Sequence, residues 1–183
     1  MSENVDLPLE DKDKSIIKDK ENKWYAVYTR PRSEKLVYDR LLEEHIETFL
    51  PMQRTYRMWS DRKKLVLKPL LSSYIFVFTK KLYFPKVFKI PGVVKFISFE
   101  GSPVSIPQNQ IDILRLLINS DAQIEVSSEQ FSQGDNVEVT SGSLVGLTGE
   151  LIKIGTRNRV IVRIDKLDKN LILKIPLAFL KKI

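Results

Sequence analysis

Hydrophobic and polar positions alternate along this chain with two distinct periods. From Trp24 to Thr29 the sequence WYAVYT is aromatic and β-branched and predicts a strand. Pro31 interrupts it, and Ser33 is placed to cap a helix. The i,i+4 pairs Val37/Leu41 and Tyr38/Leu42 mark the buried side of that helix, which is expected to end near His45. Residues 48–59 (TFLPMQRTYRMW) and 63–68 (KKLVLK) read as two strands of a long basic hairpin turning at Ser60-Asp61-Arg62. Residues 73–78 (SYIFVF) form a near-continuous apolar run, the pattern of a central strand. Pro91-Gly92 introduces VVKFISF (93–99), and Glu100-Gly101-Ser102 turns the chain back. Pro107 stands where a first helical residue is expected, ahead of Ile111, Leu114, Leu117 and Ile118 on one helical face.

The flanks behave differently. Residues 1–23 lack aromatics and mix acid with base, and are expected to be a disordered tail. Residues 119–132 turn polar and read as an interdomain linker. Five of the seven glycines then fall within residues 134–155, between short alternating strands such as Val137-Glu138-Val139 and 160–164. Close-spaced strands with glycine turns in about 50 residues argue a small β-barrel. The expected order is therefore tail (1–23), α+β domain (24–118), linker (119–132) and barrel (133–183).

Charge sharpens this division. Residues 24–118 hold 16 basic and 8 acidic side chains, whereas residues 119–183 hold 9 and 8. A polyanionic partner is expected on the first domain, with a well-solvated basic surface as the plainer reading. The sequence has no cysteine and one histidine, which excludes disulfides, thiolate chemistry and Cys- or His-rich metal sites. Neither a G-x-x-x-x-G-K-[ST] loop nor a G-x-G-x-x-G motif occurs. His45, beside Glu43 and Glu44, reads as a surface or helix C-terminal cation. Catalysis, metals and cofactors are not expected. The longest apolar run, Pro69 to Thr79, is well short of the roughly 18–20 residues that span a bilayer, and the amino-terminal stretch has no secretory pattern. A cytoplasmic, monomeric protein without membrane contact is expected.

The carboxy-terminal segment places Gly134, Asp135, Val137, Val139, Gly142, Gly146 and Gly149 in the pattern G-D-x-V-x-V-x-x-G-x-x-x-G-x-x-G. It resembles the KOW motif of NusG-class elongation factors and some ribosomal proteins. Val137 and Val139 share one sheet face, and the glycines supply turns or close backbone approach. The glycines can serve the barrel alone, and the barrel as a whole can dock a partner. Upstream, KWYAVYTRPRSEKLVYDRL, PLLSSYIFV and IPGVVKFISFEGSPVSIP occur in an order and spacing that resemble the NusG amino-terminal domain. This resemblance covers Trp24 to Ile183 and implies an α/β plait, an antiparallel sheet flanked by helices, flexibly linked to an SH3-like KOW β-barrel. Arg30-Pro31-Arg32 stands where housekeeping members carry a Ser-Gly pair. The chain is in this respect similar to the specialised paralogues, the UpxY-type capsular-polysaccharide antiterminators and RfaH-like factors.

The resemblance implies binding to RNA polymerase through the clamp helices of its largest subunit. By position the matching residues are Tyr28, Leu71, Tyr74, Phe76 and Phe96. The same residues also read as core, since alternation puts Tyr74, Phe76 and Phe78 on one face and Ile75 and Val77 on the other. Arg30, Arg32, Lys35 and Arg40 are implied to contact the non-template DNA strand, against a reading as solvated surface paired with Glu34 and Asp39. The implied function is antitermination, or suppression of pausing, at selected operons such as surface-polysaccharide loci. The barrel is implied to recruit ribosomal protein S10 or Rho. A general elongation and termination factor acting with Rho, or a KOW-type ribosome- or RNA-binding protein, are the alternatives.

Overall fold

The computed structural model describes residues 21–58, 62–120 and 122–183, with Arg57 and Lys63 described by backbone alone. The expected tail lies outside the described residues over 1–20, as do Trp59 at the end of the first expected hairpin strand and Ser60 and Asp61 of the turn. In chain order the elements are β1 (Lys23–Thr29), α1 (Glu34–Glu43), β2 (Glu47–Phe49), β3 (Met52–Met58), β4 (Lys63–Pro69), β5 (Tyr74–Thr79), α2 (Phe84–Phe88), β6 (Val93–Phe96), β7 (Ser98–Phe99), β8 (Ser102–Pro103), β9 (Ser105–Ile106) and α3 (Gln108–Ile118). Then follow β10 (Ile124–Ser127), β11 (Asp135–Val139), β12 (Thr148–Ile154), β13 (Arg157–Ile164), β14 (Lys169–Leu173) and β15 (Leu180–Lys182).

The first sheet runs β2-β5-β1-β6, with β9 also on β1. β1 and β5 are antiparallel from Lys23↔Thr79 to Tyr28↔Tyr74. Both faces of this pair are apolar and both are covered. Tyr25, Val27, Ile75 and Val77 pack with Val37 and Leu41 of α1 and with Phe84 and Val87 of α2. Trp24, Ala26 and Phe76 pack on the other side with Ile111, Leu114 and Leu117 of α3. The buried stripe of α1 is Glu34, Val37 and Leu41, while Leu42, expected on that side, is 44 % exposed.

Two predicted strands are each broken. The stretch 48–59 divides at Leu50-Pro51: β2 belongs to the first sheet, whereas β3 leaves it to pair only with β4. Proline has no N–H for the ladder, and its carbonyl instead accepts from the Leu70 N–H (2.8 Å) to close the hairpin base. The stretch 93–99 divides into β6 and β7, the latter turning back onto β8. Pro107 is the N-cap of α3 rather than its first helical residue.

The second sheet is antiparallel with order β10-β14-β13-β12-β11-β15, compatible with an SH3-like KOW domain. β10 lies inside the stretch expected to be a linker, and pairs with β14 from Ile124↔Leu173 to Ser127↔Asn170. Val137 and Val139 are buried on one face. Gly142 and Gly146 take φ of +87° and +84°, and a Cβ on Gly134 or Gly149 would lie 2.3 or 2.7 Å from the carbonyl oxygen of Leu151 or Ile161.

α3 lies between the two sheets. Towards the first sheet, Trp24 Nε1 donates to Gln108 Oε1 (2.9 Å), and the Arg115 guanidinium stands over the rings of Trp24 and Phe49. Towards the second, Asn109, Gln110 and Ile113 line a cleft with Asn136, Thr148 and Val162. One buried cluster therefore runs from Trp24 and Phe76 through α3 to Val137, Val160 and Leu171, where the resemblance implied flexibly linked domains.

The entry to the second sheet is pinned by a charged pair. Arg163 Nε and Nη2 donate to Glu150 Oε1 (2.7 Å) and Oε2 (2.9 Å), and the Gly134 N–H donates to Oε2 (3.1 Å). The guanidinium hydrogen bond holds the Glu150 carboxyl below its usual range, outweighing the opposing effect of burial.

Two predictions follow from these contacts. Gly92 has φ +104°, and a Cβ there would meet Val37 Cγ2 at 2.8 Å. Gly92→Ala is expected to destabilise by about 2 kcal/mol or more. Gly101→Ala, at φ +78° with nothing within 4 Å, should cost about 1 kcal/mol. Urea unfolding of both variants measures the difference, and equal losses would remove the contact with α1 from the explanation. For Glu150 the folded pKa is depressed, so its stabilisation is present above the unfolded value of about 4.3 and is lost as pH falls through the folded value. Glu150→Gln should accordingly lose less stability than the parent between neutral and acid pH, and parallel losses would sink this assignment.

Candidate functional site

The ends of β1 and β5 bring Tyr28 and Tyr74 opposite each other, ring centroids 5.4 Å apart and nearly edge-to-face at 74°. Both rings are half-buried. Burial first, then the neighbouring Tyr28 and Asp168, push the Tyr74 hydroxyl up. Asp168 stands at the turn into β14, so the second sheet approaches this corner of the first. Leu71 and Phe76 are 1 % and 0 % exposed and belong to the buried cluster against which Tyr74 packs, rather than to a surface.

Phe96 does not join them. It pairs in register with Val27, belongs to the helix-covered face and stacks on Phe84 with centroids 4.1 Å apart. A surface patch containing Tyr74 therefore excludes Phe96. The physical reason is strand alternation: Val27 and Tyr28 point to opposite faces, and a partner of Val27 follows Val27.

Beside the tyrosines, the β1–α1 junction is locked from three sides. The Thr29 N–H donates to the Ser73 carbonyl (2.9 Å) and the Arg30 N–H to the Gly92 carbonyl (2.8 Å). Glu34 Oε1 accepts from the Ser73 N–H at 2.7 Å. Glu34 is 6 % exposed, so it is not the surface partner of the arginines that its spacing suggested. Ser73 and Arg32 both hold φ +64°, a conformation costly for a residue with a Cβ. Ser33 is the N-cap of α1, without a side-chain cap hydrogen bond.

Arg30, Arg32 and Lys35 are exposed at this junction. Arg40 meets the same approach to β6 as Arg30, whose N–H donates to the neighbouring Gly92 carbonyl. Its Nη1 donates to the Pro91 carbonyl (3.0 Å), and its side chain lines a cleft of about 260 Å³ with Glu43, Glu44, Lys86 and Lys89. Lys86 in turn pairs with Glu44 at 3.0 Å. The KOW-pattern residues Gly134, Val137, Val139, Gly142, Gly146 and Gly149 all lie in the second sheet or its turns, at backbone approaches rather than at a pocket of side chains.

Sequence reasoning misread Glu34 as a surface acid and missed Arg163 and Arg115. An acid in a helix's first turn was the available signal for Glu34, but its Ser73 partner is 39 residues away. Arg163 and Arg115 read as ordinary strand and helix cations until their partners are known. His45 is exposed at φ +57° and ends α1 by donating its N–H to the Leu42 carbonyl (2.9 Å). Among the described residues no three His, Cys, Asp or Glu side chains are grouped to hold a metal, and no helix is long and apolar enough to cross a membrane.

The family model described as transcription termination factor nusG matches residues 22–115, the first sheet with its helices. No curated protein matches the sequence. Among solved structures, the chain is similar to NusG of Thermotoga maritima, described as showing a domain interaction, with 20 % identity and a TM-score of 0.53 over 89 % of this chain and 98 % of that one. An MjSpt4:Spt5 complex in conformation B aligns at 18 % identity over 87 % of this chain and 96 % of that one, with a TM-score of 0.31. The match over more than half the chain, on a fold whose first sheet it covers from β1 to α3, makes this protein a member of the NusG family of transcription factors.

Proposed function

We propose that this protein binds RNA polymerase through the corner formed by Tyr28 and Tyr74 and suppresses pausing or termination. The observation that carries this reading is the half-exposed tyrosine pair at 5.4 Å, with Tyr74 packed on the buried cluster of Leu71 and Phe76, near exposed Arg30, Arg32 and Lys35. Two aromatic rings held in place offer large contact area at little entropic cost, which suits the tip of a helical hairpin such as the polymerase clamp helices. The cations beside them suit phosphates of the non-template strand in the transcription bubble. Arg40 contributes by holding α1 to Pro91.

Bound in this way, the protein favours the active state of polymerase only by its differential affinity, and a preference of about 1.4 kcal/mol changes the ratio of states roughly tenfold. The Arg30-Pro31-Arg32 junction favours action at selected operons, such as surface-polysaccharide loci, over a general role with Rho. The second sheet is the element to recruit a further partner, ribosomal protein S10 or Rho.

Core RNA polymerase captured on the tagged full chain tests the reading. Tyr74→Ala should weaken capture by about 2 kcal/mol, roughly thirtyfold, while circular dichroism stays at the parental spectrum. Arg30→Ala/Lys35→Ala should retain capture and lose read-through of a terminator in a purified transcription reaction. Equal capture by the parent and a folded Tyr74→Ala removes this corner from polymerase binding. A parent that retains ribosomes or RNA but not polymerase transfers the function to the KOW-like sheet.

A further inference from the structure

The outer face of the second sheet, turned away from the main core, carries an apolar layer of its own. Ile152, Ile161 and Ile172, from β12, β13 and β14, form a small buried cluster on which Phe131 packs. The segment joining β10 to β11 crosses this face and is pinned to it. Asn170 Nδ2 donates to the Glu129 carbonyl (2.8 Å), and Arg163 Nη2 donates to the Phe131 carbonyl (3.2 Å). Beside the crossing runs a groove of about 500 Å³, with Ile172 and Phe131 in its lining and Ile154, 37 % exposed, continuing the apolar stripe.

The charges of this groove are sorted by side. Glu125 on β10 and Glu129 on the crossing segment line it from one side, and Arg157 and Arg159 of β13 line it from the other. The strand order β10-β14-β13 puts β14, with Ile172, between them. Among the described residues none of these four side chains is in an ion pair, and Arg159 bonds only the adjacent Asn158 carbonyl (2.8 Å). On the same face Glu150 and Arg163 do pair, at 2.7 Å. Two acids and two arginines are thus held apart across an apolar stripe, each side lacking the partner that the other could supply.

We infer that this face binds a second copy of the chain, in place of the monomer expected from the sequence. A twofold axis laid along the apolar stripe brings each acidic side onto the arginines of the partner and each stripe onto its counterpart. The complement of the patch is then the patch itself. Arginine suits the role, because its guanidinium can take a carboxylate through two parallel hydrogen bonds. Pairing across an interface that excludes water also makes these charges count for more than they do on an open surface. A nucleic acid would gain from Arg157 and Arg159 but would set phosphates against Glu125 and Glu129. None of these residues belongs to the tyrosine corner or to the β1–α1 junction, so the inference stands apart from the polymerase reading.

The test is sedimentation velocity of the full chain over a wide range of protein concentration, at low and at high salt. The mass should rise from 21.2 kDa towards twice that value with concentration, and the association should weaken as salt is added. Arg157→Glu/Arg159→Glu and Glu125→Arg/Glu129→Arg should each weaken it roughly tenfold or more, since like charges then face each other across the axis. An equimolar mixture of the two variants should recover the dimer, because every facing pair is again of opposite sign. Lys64→Glu/Lys68→Glu, with the same change of net charge as the arginine variant but on the β3–β4 hairpin, should associate as the parent does. Circular dichroism reports whether each variant is folded. Three results overturn the inference: a parent that stays monomeric at every concentration, parental association by either folded groove variant, or a mixture of the two that stays monomeric. If the parent is monomeric and the methyl signals of Ile154 and Ile172 shift on deleting residues 1–20, the groove holds the amino-terminal segment of the same chain instead. Polymerase is absent throughout, so this outcome is independent of polymerase capture.

Discussion

β1 and β5 are paired along their length and buried on both faces, and the rest of the molecule answers to that. A single pair of strands cannot bury both of its faces by itself, so two further layers must be supplied. α1 and α2 provide one through Val37, Leu41, Phe84 and Val87. The other is α3, whose Ile111, Leu114 and Leu117 each contribute roughly 1.5–3 kcal/mol of gross burial. Because α3 has apolar side chains on more than one side, covering the first sheet leaves Ile113 and Leu116 to be covered in turn. The second sheet does this, and one continuous core results.

The tyrosine corner is where this layering stops. Tyr28 and Tyr74 are the last partners of the β1–β5 ladder and remain half-exposed. Immediately past them the chain takes two positive-φ conformations at Arg32 and Ser73, held by the Glu34–Ser73 hydrogen bond and by the Gly92 carbonyl. Conformations of that cost persist only where surrounding contacts over-determine them. Here they fix the direction in which Arg30 and Arg32 leave the sheet relative to the tyrosines.

The hairpin presents the opposite situation. β3 and β4 pair with each other and, among the described residues, with no other strand, so their ladder is satisfied within the hairpin. An apolar ribbon of this kind invites edge-to-edge association, and its arginines and lysines oppose that.

Much of the architecture was legible along the chain because it is local. The 3.6-residue recurrence of Ile111, Leu114 and Leu117, the alternation of Tyr74 to Phe78 and the spacing of the KOW-pattern glycines each report a backbone preference that depends on near neighbours. Breaks in strands at Pro51 and after Phe96 were not read, because whether a strand continues depends on which ladder it can join. Phe96 was placed with Tyr74 on position, but its face is set by its pairing with Val27, nearly 70 residues earlier. Glu34 looked like a surface acid, and its burial follows from a Ser73 N–H that no window around residue 34 contains. β10 read as a polar linker because its partner β14 lies more than 40 residues ahead. Periodicity encodes which residues face the same way, and it is fixed by short-range sterics; what covers each face is decided by contacts between distant segments, which form only when the whole chain has folded.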